Sequence, residues 1–420
     1  MEPGRSGGHA LPARRSRDVP VFASACAIRC VPYDSLVQRN RLEWLIVMKA
    51  ILLAGGKGTR LRPLTVHTPK PIVPILNRPF LYYQIDLLKQ VPEIDEVILS
   101  LNYQPRRIEE IFGEGQDAGI RIRYVVEPMP LGTGGAVRYA GDSLTESVVV
   151  FNGDVLTQVD LAAVLRLHRE RRAKATIVLT PVDNPRAYGL VETDGQGNVK
   201  RFLEKPGEDE ITCNTINAGI YVLEPDTFDR IPKDTAWSIE RSYFPSLIER
   251  GETFVAYVYD GYWIDIGTPA KYLQVHRDIM DGRYSAPPFD GASHIADASL
   301  AHGGSHELHG SGVAWVSPGA RIEDGVELQA PCFVDEGAVI KAGAKILAHS
   351  VIGRQTHVEG AAVIDGSIVW PNGWIGAEAV LRGSILGRNC HVGRNAVIES
   401  PAVLGDKTVI TDYSRISSGA

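Results

Sequence analysis

A chain of 420 residues is long enough for two or three domains, and its 44% hydrophobic and 22% charged residues are those of an ordinary globular protein. The formal net charge of -6 leaves no general basic footprint, which argues against nucleic acid as a partner. No apolar run approaches the ~20 residues that a bilayer-spanning helix needs, so no membrane partner is expected.

Residues 1–47 hold seven arginines and no apolar periodicity, and they read as an upstream extension without chemistry. The stretch 19–31 within them is short, carries Arg29 and lacks a clear small-residue cleavage site, which makes a poor signal peptide. The five cysteines, at 26, 30, 213, 332 and 390, are odd in number and scattered; Cys26 and Cys30 have a finger-like spacing but no second pair follows. Such a set fits reduced thiols, and a cytoplasmic location is expected.

From 48 to 280, short apolar runs alternate with amphipathic stretches. Residues 50–53 read as a buried strand running straight into a glycine turn. Helical spacing follows at 82–89, an apolar run at 96–101, a helix at 108–112 and a strand at 121–126. Next come a helix at 135–140, a strand at 147–151, a helix at 161–172 and a strand at 175–180. This alternation predicts an α/β, Rossmann-like domain with a mixed, mostly parallel sheet covered on both faces. Ligands bind beyond the carboxyl ends of such strands, so polar residues just after the apolar runs are the first candidates for a site.

Residues 281–312 are rich in Pro, Gly, Ser and His and read as a linker, with His294, His302, His306 and His309 as loop histidines. From 313 to 413 one apolar position recurs every six residues: Val316, Ile322, Leu328, Val334, Ile340, Ile346, Ile352, Val358, Ile364 and Trp370. After a four-residue slip the series resumes at Trp374 and continues through Val380, Leu386, Val392, Ile398, Leu404 and Ile410, leaving 414–420 as a tail. A small or β-branched residue sits four positions later, as at Val326, Cys332, Ala338, Ala344, Ser350, Thr356 and Ala362. Period six would turn an α-helix through ~600° per repeat and could not keep one face. It fits a triangular coil with three hexapeptide faces, a left-handed parallel β-helix.

The chemistry concentrates in Leu53-Ala54-Gly55-Gly56-Lys57-Gly58-Thr59-Arg60-Leu61-Arg62-Pro63-Leu64. Glycines after a strand let backbone N–H groups approach phosphate oxygens, and three cations are woven among them. The spacing is neither that of a Walker A loop nor that of G-x-G-x-x-G. With Pro69-Lys70-Pro71, Pro130-Leu131-Gly132-Thr133-Gly134-Gly135-Ala136, Asn152-Gly153-Asp154, Tyr188-Gly189, Glu204-Lys205-Pro206, Asn217-Ala218-Gly219 and Trp263-Ile264-Asp265-Ile266-Gly267, the chain resembles the nucleoside-diphosphate-sugar pyrophosphorylases from about 48 to 410.

That resemblance implies transfer of a nucleotidyl group from a nucleoside triphosphate to a sugar 1-phosphate, with Mg²⁺ as cofactor. It assigns Asp154 and Asp265 to the metal and Arg60 to the triphosphate. Lys70 would neutralise charge near the reacting centre, and Lys205 would grip the sugar phosphate. Leu53, Gly55, Gly56, Gly58, Thr59, Glu127, Pro130, Gly132 and Thr133 would line the nucleotide site; Gly189, Glu204 and Asn217 would meet the sugar. The run around Leu131-Gly132-Thr133, together with Ser238-Ile239-Glu240, is similar to that of mannose-1-phosphate guanylyltransferases, which implies GTP and mannose 1-phosphate. Glucose- and heptose-phosphate enzymes share parts of it. The presence of Arg60, Asp154 and Asp265 argues against a non-catalytic paralogue. An acyltransferase in the β-helix would use His349, His357 or His391. Assembly into a homo-oligomer, through the β-helix or the catalytic domain, is expected.

Overall fold

The computed structural model describes residues 47–286, 293–295, 307–309 and 312–417. The extension, with Cys26 and Cys30, lies outside them, as do His302 and His306. No helix among the described residues is long and apolar enough to cross a membrane.

The first domain is built around β1 (Met48–Leu53), whose residues Ala50, Ile51 and Leu52 are fully buried. They have to be, because β1 has a parallel neighbour on each side and helices on both faces. Then follow α1 (Leu81–Leu88), β2 (Ile94–Leu101), α2 (Pro105–Phe112), β3 (Arg121–Val126), α3 (Gly132–Ala140) and β4 (Val148–Asn152). After them come β5 (Val155–Thr157), α4 (Leu161–Glu170), β6 (Ala175–Pro181), β7 (Gly189–Thr193), β8 (Val199–Glu204) and β9 (Thr215–Leu223). The domain closes with α5 (Phe244–Glu249), β10 (Phe254–Val258), β11 (Trp263–Asp265) and α6 (Pro269–Met280). The nine-stranded sheet runs β8-β7-β9-β4-β1-β2-β3, with β6 paired to β9 and β10 to β6. Strands β4, β1, β2 and β3 are mutually parallel, while β9, β7 and β8 add antiparallel pairings. The sheet is therefore mixed, as the alternating pattern predicts.

Helix α3 begins earlier than its sequence suggests. Glycine lowers helix propensity, and the periodicity of α3 starts only at 135; the helix nevertheless starts at Gly132. The N–H groups of Gly134 and Gly135 both donate to Trp237 O, at 2.9 and 3.2 Å. A Cβ on Gly135 would stand 2.5 Å from Thr235 O. Close packing against this segment decides the helix start, and only glycine permits it.

The second domain is a parallel β-helix of three sheets, seven, seven and six strands deep. The small residues at Val326, Cys332, Ala338, Ala344, Ser350, Thr356 and Ala362 are all buried at its corners. The corner hydroxyls are satisfied, Ser350 donating to Ile364 O at 3.0 Å and Thr356 to Trp370 O at 3.4 Å. Strands Ser293–Ile295 and Glu307–His309 lie within the stretch read as linker, and Arg415–Ile416 within the stretch read as tail. All three pair with strands of the coil.

The inward series departs from the count of six at two places, between Ile364 and Val369 and between Leu381 and Leu386. Strand pairings step by 18 residues from Val334 to Ile352, by 17 from Ile352 to Val369 and again by 17 from Val369 to Leu386. Two coils are thus one residue short, and Val369, Ile375 and Leu381 face the interior where Trp370, Trp374 and Val380 were expected. Size accounts for the two tryptophans: the interior takes Val, Ile and Leu, whereas the Trp370 indole turns outward against the first domain and Trp374 is 41% exposed; Val380 follows the same shifted register.

A shared apolar cluster joins the domains. Phe333, Val351, Ile368, Trp370 and Ile385 from the β-helix pack with Leu61, Leu64, Val73, Ile75, Phe80 and Tyr272. Trp370 Nε1 donates to the Tyr272 hydroxyl at 2.9 Å, and that hydroxyl donates to Pro74 O. Arg388 donates to Thr68 Oγ1 at 3.0 Å, and His349 Nε2 lies 2.7 Å from Asp281 Oδ1. The β-helix therefore supports the stretch that follows the glycine loop.

Candidate active site

Parallel pairing places Leu53 of β1 opposite Asn152 of β4, so the glycine loop and Asp154 leave the sheet side by side. Gly153 donates to Leu53 O at 3.0 Å, and a Cβ there would approach that oxygen to 2.4 Å. No larger residue fits between the two strand ends. Gln84 of α1 donates to Asn152 O at 2.9 Å and Val155 O at 2.7 Å, fixing the turn that carries Asp154.

The loop encloses a hollow of about 460 Å³. Leu53, Gly55, Gly56, Gly58, Thr59, Glu127, Pro130, Gly132 and Thr133 all line it, together with Arg60, Lys70, Asn152 and Asp154. Gly58 adopts φ 58°, a left-handed turn that favours glycine, and the short turn Thr59–Leu61 follows to present Arg60. Glu127 serves the shape of the hollow. Its Oε1 accepts from Ser100 at 3.1 Å and its Oε2 from Leu131 N at 2.9 Å, fastening the end of β3 to the start of α3.

A second hollow of about 700 Å³ adjoins the first and is lined by Gly189, Glu204, Lys205, Asn217 and Asp265. Arg60, Asn152 and Asp154 line both, so they form the common wall. Asn217 is held by its own strand, accepting from Gly219 N and donating to the Tyr221 hydroxyl, each at 2.8 Å. Gly189 lies opposite Glu204 in the β7–β8 pair, and a Cβ there would meet Phe202 at 2.7 Å. Lys205 has φ 55°, a conformation that costs a non-glycine residue about 1–3 kcal/mol. Its N–H donates to Tyr188 O at 3.0 Å, which helps to hold it there. Asn152 Oδ1 is buried without a hydrogen-bond donor.

Asp265 reaches the wall through a strand pair: β11 runs antiparallel to β5 with Asp265 opposite Val155, the residue after Asp154. The Ile266 N–H donates to Asp154 O at 2.9 Å. The two carboxylates thus come from neighbouring backbone, although 111 positions separate them in the chain. A Cβ on Gly267 would lie 2.8 Å from the Arg60 guanidinium and 2.9 Å from Asp265 Oδ2, which brings Arg60 to the same place.

Cations answer both carboxylates. Burial opposes ionisation of Asp154, but Lys70, 3.0 Å from its Oδ2, and Arg60 hold the carboxyl below its usual value. Asp265 Oδ1 accepts from the Tyr188 hydroxyl at 3.0 Å and from Lys271. Burial and the neighbouring Arg60 lower the Lys271 pKa. Across the second hollow, burial and the charge of Glu240 raise the Glu204 pKa.

Three of these groups, Tyr188, Glu240 and Lys271, were not among the residues assigned from sequence. Tyr188 directly precedes Gly189, and Glu240 lies in Ser238-Ile239-Glu240, so both stood within quoted motifs. Lys271 carries no such signal. The acyltransferase histidines are accounted for otherwise: His349 pairs with Asp281, while His357 and His391 stack on Trp374, with centroids 5.1 and 6.3 Å away.

Among the described residues no three His, Cys, Asp or Glu side chains gather to form a metal cage. Two carboxylates on one wall nevertheless fit a hard divalent ion that takes its other ligands from phosphate oxygens and water, a donor set of oxygen only.

The model of the family Nucleotidyl transferase matches residues 49–282, and that of the GMPPB C-terminal domain matches 328–419. A mannose-1-phosphate guanylyltransferase of Mycobacterium tuberculosis is 40% identical over 303 residues, spanning 68% of this chain and 82% of that one. Mannose-1-phosphate guanylyltransferase 1 of Arabidopsis thaliana is 36% identical over 334 residues, 76% and 91% of the two chains. A UTP–glucose-1-phosphate uridylyltransferase of Synechocystis is 31% identical over 337 residues, 77% and 83%. The family model spans more than half of the sequence, and this chain belongs to the nucleotidyl transferase family.

Proposed function

We propose that this chain joins GTP to mannose 1-phosphate, giving GDP-mannose and pyrophosphate. The observation that carries the reading is the shared wall: Arg60, Asn152 and Asp154 border both hollows, so two phosphorylated substrates meet there. Relatives named for GTP and mannose 1-phosphate favour that pair over UTP and glucose 1-phosphate.

In this reading the triphosphate lies on the glycine loop, with Gly55, Gly56 and Gly58 presenting backbone N–H groups and Thr133 and Pro130 near the base. Lys205 holds the sugar phosphate, and Glu204 and Asn217 receive sugar hydroxyls. A phosphate oxygen of the sugar attacks the α-phosphorus, the bond to the β-phosphate oxygen breaks, and pyrophosphate leaves. Both partners are anions, so catalysis consists of alignment and neutralisation, with Arg60 and Lys70 facing the developing charge. Asp154 and Asp265 would hold Mg²⁺, which supplies further neutralisation of the phosphates when bound. No covalent enzyme intermediate is involved. We place the reaction in the cytoplasm, in keeping with the unpaired thiols of Cys213, Cys332 and Cys390, and we infer a homo-oligomer built on the β-helix.

A pyrophosphate-release assay crossing four nucleoside triphosphates with mannose, glucose and heptose 1-phosphates tests the assignment. GTP with mannose 1-phosphate should give the highest kcat/KM, and Asp154→Asn should lower kcat about 10²-fold or more. Preference for another pair would reassign the substrates; full turnover by Asp154→Asn would remove that carboxylate from the mechanism.

A further inference from the structure

Asp154 of the common wall and Asp265 beside it each have one oxygen occupied by an ammonium. Lys70 Nζ stands 3.0 Å from Asp154 Oδ2, and Lys271 Nζ contacts Asp265 Oδ1. The family resemblance implies a role toward phosphate for Lys70 and none for Lys271. Yet the position of Lys271 is built. Helix α6 is capped by Thr268, whose Oγ1 accepts from Lys271 N at 3.4 Å. The side chain then reaches across the second hollow to Tyr188, its Nζ 2.5 Å from the hydroxyl and 5.0 Å above the ring. It keeps 34% of its surface open, so the ammonium can leave Asp265 without dismantling packing.

A carboxylate oxygen that accepts from an ammonium is not available to a hard cation, and a divalent ion would enter a wall already flanked by Arg60, Lys70 and Lys271. Like charges oppose that entry. An arriving triphosphate reverses the balance, since it brings negative charge for the lysines to turn to. We propose that Lys271 is a displaceable counter-ion of Asp265, which keeps a divalent cation weakly bound until nucleotide is present. The proposal rests on Asp154 and Asp265 being the metal-holding pair. Once released, the ammonium lies in the hollow assigned to the sugar phosphate, where it becomes a second phosphate ligand beside Lys205. A lysine that merely fastened α6 to β11 would have no bearing on metal affinity.

The test uses the full chain and Mn²⁺ alone as the probe, with free Mn²⁺ read by electron paramagnetic resonance and no nucleotide present. Lys271→Met should bind Mn²⁺ about tenfold more tightly than the unaltered protein, or better, because one opposing charge has gone. Lys271→Arg should bind as weakly as the unaltered protein. Lys200→Met removes an exposed lysine that lines neither hollow and should change nothing, which controls for net charge. Equal affinity in Lys271→Met and the unaltered chain, or the same gain in Lys200→Met, overturns the proposal. Asp265→Asn separates the two layers of the argument. If it abolishes Mn²⁺ binding while Lys271→Met has no effect, only the counter-ion idea fails. If it leaves Mn²⁺ binding intact, the metal assignment falls too.

Discussion

Charge placement at single residues decides how the second hollow behaves with pH. Glu204 and Glu240 both border it, and burial, reinforced by the negative charge of Glu240, raises the Glu204 pKa. A glutamate that receives sugar hydroxyls does so best when ionised. As pH falls through the raised value, Glu204 takes up a proton and loses acceptor strength, so kcat/KM for the sugar phosphate should fall on the acid side. Glu240→Gln removes the like charge, stabilises ionised Glu204 and should move that acid limb to lower pH. Paired pH profiles of kcat/KM check this; coincident limbs would show that Glu240 does not govern Glu204. Glu240 Oε2 also accepts from Thr133 Oγ1 at 2.7 Å, so the same variant should raise KM for the nucleotide modestly. Asp154 was legible in the sequence because it follows the apolar run of β4, whereas Glu204 and Lys205 were assigned only through the motif resemblance. Lys271 was legible in neither way. It sits in an amphipathic helix, where a lysine reads as a solvated cation, and its meaning depends on Asp265 being delivered by the distant β11–β5 pairing.

At the scale of elements, the β-helix shows what a periodic count can and cannot see. Period six identified the architecture and its small corner residues, yet it treated every apolar side chain as equivalent. Trp370 keeps the count but not the volume, and two coils shorten by one residue to bring Val369 and Ile375 inward instead. This phase can be measured. Ile364→Ala removes a fully buried interior side chain and should cost about 2–5 kcal/mol. Val380→Ala lies outside the stack and should cost less than about 1 kcal/mol. Thermal unfolding of both variants decides it, since the six-residue count predicts similar losses. Helix α3 carries the same lesson for the first domain, because its glycine-rich start is set by contact with Trp237 and not by local preference.

For the whole molecule, the seam between the domains ties the β-helix to catalysis. Leu61 and Leu64, next to the arginines of the glycine loop, belong to the same apolar cluster as Trp370 and Phe333. A chain cut after residue 286 would leave that face in water, and large exposed apolar patches drive association. Such a truncation should aggregate and lose turnover. Trp370→Phe in the full chain keeps most of the packing but takes the indole donor from Tyr272, and should cost about 1–3 kcal/mol. Light scattering and thermal unfolding measure these outcomes, and a soluble, fully active truncation would mean that the seam is dispensable. The partition formed by Arg60, Asn152 and Asp154 has a kinetic consequence as well. On the proposed function each starting material would touch it from one side only, whereas the finished nucleoside diphosphate sugar would straddle it and gather both sets of contacts at once. On that reading the end-product should therefore compete with either reactant, an outcome that product-inhibition kinetics would check.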